Sequence, residues 1–409
     1  MDANAFAALL DGGIIDDPWL DGQLRIDLEP VVITPNTAGA LAEAACVVLM
    51  MLDEAIPQLI HRPELLGALG FDPSLAAVAS LDAPRWLAFA RVDVFEVEHG
   101  LPQVCEVNCD TPTGLAETTE LNRISMAGQQ DLLNPSAGLE RRWTDMVKAA
   151  APASAGDSPC IGLVDPTEMT EDLGHIRLIT RWLQNAGMRV VRGSPFNLTA
   201  SSEKRLKLLG EPIDVLVRHY KTDWWARRRP MWINEAPPPS AEPLYEQLSA
   251  VAQALEAGTL GVVNPFGSAM AQSKRALALP WEAPDLFKAG TLESVVRYLP
   301  ESRWLESLPH SRLLAEREDW VLKGDFGCEG DEVILGRDTD DKSWAEALTQ
   351  AAPGRWLVQR AFFPRRDHGG RVYNHGIYMI GGRPSGIYTR RSLGATNRSA
   401  LGCPTLIRL

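Results

Sequence analysis

Carboxylate and amide side chains alternate with apolar ones on two strand-like segments between residues 86 and 113, which a hairpin-sized connector joins. Alternate side chains of a strand share one face, so Arg91 projects beside Asp93. For the same reason Glu106 projects beside Asn108 on the second segment. If the strands pair symmetrically about the connector, Asp93 lies directly opposite Glu106. Arg91 then faces Asn108 across the hairpin.

This hairpin predicts a metal site, because two carboxylates that are directly opposed on a sheet repel each other. A divalent cation with oxygen ligands removes the repulsion, and Asp, Glu and Asn oxygens completed by water and phosphate suit Mg²⁺. An exposed polar hairpin face, on which Arg91 screens the acids, explains the same pattern without a metal. The other face carries Cys105, Val107 and Cys109, for which small apolar packing is expected.

A second segment that could do chemistry reads strand, glycine-rich loop, strand over residues Asp319–Asp338. Glycines such as Gly327 let backbone N–H groups approach phosphate oxygens closely, and Lys323 at the strand end supplies a positive charge. The spacing is neither the Rossmann form nor the P-loop form. A loop over Gly324–Asp331 that closes over phosphates is therefore predicted, and an ordinary surface hairpin is the alternative.

Composition excludes several classes of protein. The 409 residues include 53 acidic and 40 basic side chains, which leaves a net charge of −13 and no basic run for nucleic acid. The longest apolar stretch, Ala44–Leu52, is too short to span a bilayer. The N-terminus lacks the charged start of a secretion signal, so a cytoplasmic location is expected. The six cysteines are scattered, which favours reduced thiols, and no zinc-ligand spacing occurs.

Apolar periodicity predicts the elements that position these residues. A long helix is predicted from about Thr37 to Leu59 with Thr37 as its N-cap, and a helical region from Glu117 to about Ala150. Residues 151–158 indicate a linker before a small α/β lobe. The elements predicted for that lobe are strand Cys160–Val164, helix Glu171–Ala186 and strands Met188–Val191 and Ile213–Val217. The strands predicted for the last third are Trp320–Lys323, Glu332–Gly336, Trp356–Phe363, Val372–Ile380 and Ser385–Arg390, with a tight turn at Gly381 and Gly382.

Glu171 and Asp172 follow the first strand of the α/β lobe, near the strand ends where such sheets bind ligands. They are candidates for binding a ligand. Acids in the first turn of a helix also interact favourably with the helix dipole, and this simpler interpretation is slightly preferred. Residues 218–221, at the end of the next strand, are a weaker candidate for a pocket, and ordinary edge residues are the preferred interpretation.

The run Cys105 to Gly114 reads Cys-Glu-Val-Asn-Cys-Asp-Thr-Pro-Thr-Gly and follows the Arg-x-Asp motif of Arg91 and Asp93. It resembles the signature of glutathionylspermidine synthetases and their relatives, which join a carboxylate to an amine using ATP. The resemblance extends from about residue 86 to residue 405. It implies a mixed α/β (α+β) chain with an ATP-grasp fold in circularly permuted order and an inserted Rossmann-like lobe. The parts expected are 1–150 with the metal hairpin, 151–260 as the Rossmann-like substrate lobe, and 261–409 for nucleotide binding.

The resemblance implies a role for each of a set of residues. They are the metal ligands Asp93, Glu106 and Asn108; the catalytic Arg91 and Arg390; the ATP-binding Lys274, Lys323, Gly327 and Gln359; and the substrate-binding Thr111, Thr113, Glu171 and Asp172. Arg91 is expected to steady the transferred phosphoryl group, and Arg391 is a near-equal candidate for the role of Arg390. The cofactors implied are ATP and two Mg²⁺ ions.

One departure affects the expected substrate. Family loops usually read Gly-Arg-Glu-Gly, whereas this loop reads Gly-Cys-Glu-Gly with Cys328 in place of the arginine. That arginine is expected to hold a peptide substrate, so a carboxylate other than glutathione is predicted. The expected reaction is ATP- and Mg²⁺-dependent amide formation through an acyl phosphate, between small-molecule acid and amine substrates. The alternatives are an ATP-dependent phosphotransferase and a nucleotide-binding partner protein without turnover.

Overall fold

The computed structural model describes residues 7, 9–15, 18–20, 22–167, 172–227, 243–326, 332–351, 354–394, 396 and 399–409. Helices and strands alternate along these residues, and the chain is of mixed α/β type. The helices are α1 Pro35–Leu59, α2 Pro63–Ala68, α3 Pro73–Ala79, α4 Leu115–Ser125, α5 Leu139–Ala149, α6 Leu173–Asn185, α7 Thr222–Arg227, α8 Tyr245–Glu256, α9 Ser268–Gln272, α10 Leu279–Glu282, α11 Ala289–Val295, α12 His310–Ala315 and α13 Asp341–Gln350.

The strands are short and fall in three groups along the chain. Those of the first part are β1 Trp19–Leu20, β2 Gln23–Leu24, β3 Val31–Ile33, β4 Phe89–Phe95, β5 Gln103–Asn108 and β6 Leu132–Leu133. Those of the middle part are β7 Cys160–Val164, β8 Arg189–Gly193, β9 Leu198–Ala200, β10 Leu206–Leu208, β11 Glu211–Pro212, β12 Val215–Arg218 and β13 Gly261–Val263. Those of the last part are β14 Ser302–Trp304, β15 Trp320–Gly324, β16 Val333–Leu335, β17 Trp356–Arg360, β18 Val372–Ile380, β19 Arg383–Ser392, β20 Leu401–Cys403 and β21 Thr405–Arg408.

Two of the helix predictions need correction. The prediction of Thr37 as N-cap is wrong, because the Thr37 backbone N–H donates to the Thr34 side chain at 3.1 Å and Thr34 is the cap. Pro35 then occupies the first helical position, where its missing N–H costs nothing. The single helical region predicted after Glu117 is two helices, α4 and α5, which strand β6 separates.

The largest sheet unites strands from distant parts of the sequence, in the order β20-β19-β18-β4-β5. Its β4–β5 hairpin has the predicted register, with Arg91 opposite Asn108 and Asp93 opposite Glu106. Beyond Asp93 the register shifts by one residue, so that Cys105 is an extra residue on β5. The bulge directs Cys105 to the cavity described below. The prediction that it packs on the opposite face is therefore wrong, whereas Val107 and Cys109 are in the core as expected.

Two further sheets complete the frame of the site. An antiparallel sheet has the order β14-β17-β15-β16, and a parallel sheet has the order β13-β12-β7-β8. The parallel strands β7, β12 and β13 are buried along their length, which explains their largely apolar sequences. Strand β13 begins one residue beyond the expected domain boundary at residue 260. Within the described residues, no helix is both long and apolar enough to cross a bilayer.

Candidate active site

A cavity of about 1440 Å³ contains most of the residues that the sequence singles out. The predicted site residues that line it are Arg91, Glu106, Asn108, Thr111, Thr113, Asp172, Lys274, Lys323, Gln359 and Arg390. Asp93 is only 1% exposed and contacts lining residues from below the surface of the cavity. Glu171 and Gly327 lie outside the described residues, as does most of the predicted phosphate loop.

Asp93 is the centre of a buried ion cluster on the five-stranded sheet. Both of its oxygens accept hydrogen bonds from Arg91, at 2.8 Å and 3.2 Å, and Arg390 adds a bond of 2.7 Å from β19. Burial acts to raise the pKa of Asp93, but the two guanidinium groups and the hydrogen bonds from Arg91 and Asn374 outweigh it and lower this pKa. Asp93 is therefore ionised, and the two arginines are held rigidly at the cavity wall.

Glu106 has a cationic partner of its own. Its Oε1 atom lies 2.8 Å from Nζ of Lys274, a lysine that is 5% exposed. Both opposed carboxylates of the hairpin are therefore neutralised by neighbouring basic side chains. A metal ion is therefore not needed to relieve their repulsion, contrary to the expectation from the sequence.

The predicted metal ligands provide a donor set of two carboxylates and one amide. The part of the chain that is described has no group of three or more His, Cys, Asp or Glu side chains able to hold a metal. Asn108 is bound weakly, since Gln272 reaches its Oδ1 atom only at 3.5 Å and its buried Nδ2 atom has no partner among the described residues. Glu106 and Asn108 both line the cavity and present hard oxygen atoms. These residues fit a hard divalent cation, whose positive charge Lys274 and Arg390 at present replace.

The antiparallel sheet supplies the residues predicted to bind the nucleotide. Lys323 on β15 donates to Oε1 of Gln359 at 2.7 Å and to the backbone oxygen of the bulged Cys105 at 3.1 Å. Gln359 on the neighbouring strand β17 in turn donates to Ser302 at 2.9 Å. Burial lowers the pKa of Lys323, which increases the preference of this amine for an anionic partner. Lys323 thus links its own sheet to strand β5 of the five-stranded sheet by hydrogen bonds.

The loop after β5 is anchored from the parallel sheet. Arg218 at the end of β12 donates to Asp110 at 2.7 Å, and the Thr222 hydroxyl and backbone N–H also donate to Asp110 at 2.7 Å each. The next residues of this loop, Thr111 and Thr113, line the cavity. The Thr113 backbone oxygen accepts a hydrogen bond from Arg91 at 3.1 Å. The predicted substrate loop is therefore connected directly to the predicted catalytic arginine.

Strand alternation separates the two arginines that the sequence left as rival candidates. Arg390 points into the cavity and contacts Asp93, whereas Arg391 points to the opposite face of β19. There Arg391 pairs with Asp27 and with Glu29, the latter at 2.9 Å. The geometry thus favours Arg390 as the residue at the site.

Asp172, which also lines the cavity, accepts a hydrogen bond from Nε2 of His219 at 2.9 Å. The His219 ring stacks on His175 with ring centroids 4.7 Å apart. The interpretation of residues 218–221 as ordinary edge residues is wrong, because Arg218 is 2% exposed and His219 is 6% exposed and lines the cavity. Their position directly after a buried parallel strand was the available signal.

Two amide side chains of the site were missed entirely in the sequence. Gln272 accepts hydrogen bonds from the backbone N–H groups of Cys109 and Asp110, at 2.9 Å and 3.1 Å. Asn374 on β18 hydrogen-bonds to Asp93. Each acts through pairing across elements that are more than 150 residues apart in sequence, which no local pattern indicates.

Comparison with known proteins agrees with the fold. The sequence profile of the glutathionylspermidine synthase preATP-grasp family matches residues 26–407. The structure is similar to that of a glutathione synthetase-like effector from Globodera pallida, with a TM-score of 0.63, 11% identity, and coverage of 98% of this chain and 95% of that one. A protein from Methylobacillus flagellatus KT, assigned as a γ-glutamylcysteine synthetase, has a TM-score of 0.46 and 14% identity, with 87% and 85% covered. No functionally curated protein matches the chain. The mixed α/β fold of ATP-grasp type is confirmed, and the chain belongs to the glutathionylspermidine synthase preATP-grasp family.

Proposed function

We propose that this protein is an ADP-forming carboxylate–amine ligase that uses ATP and Mg²⁺ and works through an acyl phosphate. The observation that carries the proposal is the convergence of four basic side chains on one cavity. They are Arg91, Lys274, Lys323 and Arg390. Arg91, Lys274 and Arg390 pair with acids of the β4–β5 hairpin, and the buried Lys323 donates to Gln359. Such a cavity suits a polyphosphate and an anionic transition state.

The chemistry needs positioning and charge neutralisation rather than a nucleophilic side chain. Lys323 and Lys274 would bind ATP phosphates, and Gln359 would meet the adenine. Arg91 and Arg390, held in place by Asp93, would stabilise the negative charge that develops on the transferred phosphoryl group. Thr111 and Thr113 would bind the carboxylate substrate beside Arg91.

Glu106, Asn108 and Asp93 would hold Mg²⁺, which supplies neutralisation of phosphate charge when it is bound. Lys274 now occupies Glu106, and Arg91 and Arg390 occupy Asp93. The triphosphate of ATP offers Lys274 a stronger partner, because as a whole it carries more negative charge than one carboxylate. Transfer of Lys274 to the phosphates would leave the Glu106 oxygens to the metal, while Asp93 keeps the two arginines in place.

The substrates are proposed to be a small carboxylic acid other than glutathione and a small amine, and the protein is proposed to act in the cytoplasm. Cys328 in place of the usual arginine supports the choice against glutathione. Asp172 supports an amine substrate, because it is an ionised carboxylate in the wall of the cavity. Glu171 remains a proposed second acid of that subsite.

The test is a screen for ADP release with Mg²⁺, ATP and pairs of acids and amines, with mass spectrometry of the organic product. An amide formed in equal amount to ADP is expected for one pair. A phosphorylated product without an amide would show a phosphotransferase instead. No ADP with any pair would leave a nucleotide-binding protein without turnover.

A further inference from the structure

A histidine–aspartate cluster lies at the carboxyl ends of the parallel strands, apart from the arginines and lysines. His219 follows β12 directly, and its backbone N–H donates to Val164 at the end of the neighbouring strand β7 at 2.8 Å. Asp172 and His175 reach the same sheet edge from the start of α6. The Asp172 carboxylate lies 2.9 Å from Nε2 of His219, and the two imidazole rings are 4.7 Å apart at an interplanar angle of 26°.

The burial of the cluster determines its charges. His175 and His219 are 7% and 6% exposed, and one carboxylate cannot neutralise two buried imidazolium rings in contact. Burial lowers the pKa of His175 to about 3, so His175 is neutral. Burial acts to raise the pKa of Asp172, but His219 outweighs it and the pKa is about 2, so Asp172 is ionised. Nδ1 of His175 is buried without a hydrogen-bond partner in the described part of the chain.

The hydrogen bond to Asp172 also determines the tautomer of His219. A neutral ring that donates from Nε2 to a carboxylate keeps a basic lone pair on Nδ1. This is the arrangement of a base that a second group orients, as in hydrolase triads. Other charged groups around the cluster are Lys221, which acts on Asp172, and Glu117 on α4, on which Asp172 acts.

The cluster and the arginines share one cavity. Asp172, His175 and His219 line the same cavity as Arg91 and Thr113. Glu117 is near both groups, since the charges of both Asp172 and Arg91 act on its pKa, which burial raises. A nucleophile bound at His219 would therefore share one cavity with the place where the acyl phosphate would form.

We infer that His219, oriented by Asp172, is the proton acceptor for the amine nucleophile; this inference rests on the proposed ligase function. An alkylamine is an ammonium ion at neutral pH and has no lone pair with which to attack. His219 in its neutral form accepts one proton from it. The freed lone pair forms the C–N bond, the C–O bond to the phosphoryl group breaks, and its electron pair leaves with phosphate. The surplus amide proton leaves with that phosphate, and His219 returns its proton to solvent.

The test compares two nucleophiles with the same enzyme, ATP and a panel of amino acids, dipeptides and glutathione as acids. Hydroxylamine is uncharged at neutral pH and needs no base, whereas n-butylamine must lose a proton first. His219→Gln should lower butylamide formation by about 100-fold or more, the usual contribution of a general base, and leave hydroxamate formation nearly unchanged. Asp172→Asn should act in the same direction. His310→Gln, the same change at an exposed site on α12, is the matched control.

The pH profile gives a second measurement. The deficit of His219→Gln with butylamine should shrink as the pH rises towards the pKa of the ammonium group, because solvent then removes the proton. Equal losses with both nucleophiles, or no loss with butylamine, would overturn the inference and leave the ligase intact. A wild-type protein that forms no hydroxamate with any acid would overturn the proposed function together with this inference.

Discussion

Replacement of Glu106 by Gln tests two roles of that carboxylate, as a proposed metal ligand and as the ion-pair partner of Lys274. Mg²⁺-dependent turnover should fall on the order of 100-fold or more, because a site that stabilises phosphate charge loses one of its anionic ligands. Thermal stability should also fall. Opposed carboxylates alone would predict the reverse, since removal of one charge relieves repulsion across the hairpin. The structure changes the sign, because Glu106 is paired with Lys274 at 2.8 Å.

The size of the stability loss follows from the burial of this pair. Lys274 has a side-chain exposure of 5% and Glu106 one of 23%, so the ion pair is only partly screened by water. Loss of one partner of a fully buried pair costs about 3 to 5 kcal/mol. Gln retains a hydrogen-bond acceptor at this position, which reduces the cost to about 1 to 3 kcal/mol. The apparent Tm of Glu106→Gln should therefore fall by a few degrees.

Thermal unfolding and ADP release, each with and without Mg²⁺, provide the assay. Glu98→Gln is the matched control, because Glu98 is an exposed acid in the connector of the same hairpin. The control should keep both the wild-type Tm and the wild-type rate. A Tm of Glu106→Gln above that of the wild type would refute the pairing with Lys274. Unchanged Mg²⁺-dependent turnover would refute the metal assignment.

Three further changes test other parts of the site and the fold. Lys323→Met should weaken ATP binding measured by calorimetry by about tenfold or more, the effect of roughly 1.4 kcal/mol, whereas the exposed Lys342→Met should not. Arg390→Met should lower kcat on the order of 100-fold, and Arg391→Met should instead lower Tm, because only Arg390 lines the cavity. Burial lowers the pKa of His375 from 6.5 to about 4, so its contribution to folding stability is present above pH 6.5 and is lost towards pH 4. That contribution is about 3 kcal/mol, and urea unfolding of His375→Gln should show a smaller loss over this pH range than the wild type.

The hairpin was predictable because its information is local. Alternation of polar and apolar residues and a short connector were enough to place Asp93 opposite Glu106, and the structure has that register. The bulge at Cys105 was not predictable, since it depends on contacts across sheets. Its backbone oxygen accepts a hydrogen bond from Lys323, which lies 218 residues away in sequence.

The local sequence pattern also could not predict which basic residues pair with the acids of the hairpin. Nothing near Glu106 in sequence indicates Lys274, and nothing near Asp93 indicates Arg390. The Asp93–Arg390 pair forms because β18 and β19 add to the β4–β5 hairpin from the far end of the chain. The Glu106–Lys274 pair forms because Lys274 follows α9, which packs against β5. Local pattern therefore placed the two acids opposite each other, but it did not indicate Lys274 and Arg390 as their partners.

The same limit explains why His219 was assigned to an ordinary strand edge. A histidine after a strand has no distinctive spacing relative to Asp172, which lies 47 residues earlier. Parallel pairing of β7 with β12 brings the ends of both strands to one edge of the sheet, and the two side chains meet there. Recognition of this pairing from the sequence would have required the strand order as well as the strands.

The transfer of a substrate oxygen to phosphate tests the central claim most directly. Carboxylic acids labelled with ¹⁸O in the carboxylate are incubated with the protein, ATP, Mg²⁺ and an amine, and the released phosphate is analysed by mass spectrometry. Attack of the carboxylate on ATP followed by displacement by the amine predicts one ¹⁸O atom in each phosphate formed with the amide. Unlabelled phosphate formed together with the amide would contradict an acyl phosphate and the ligase mechanism built on it.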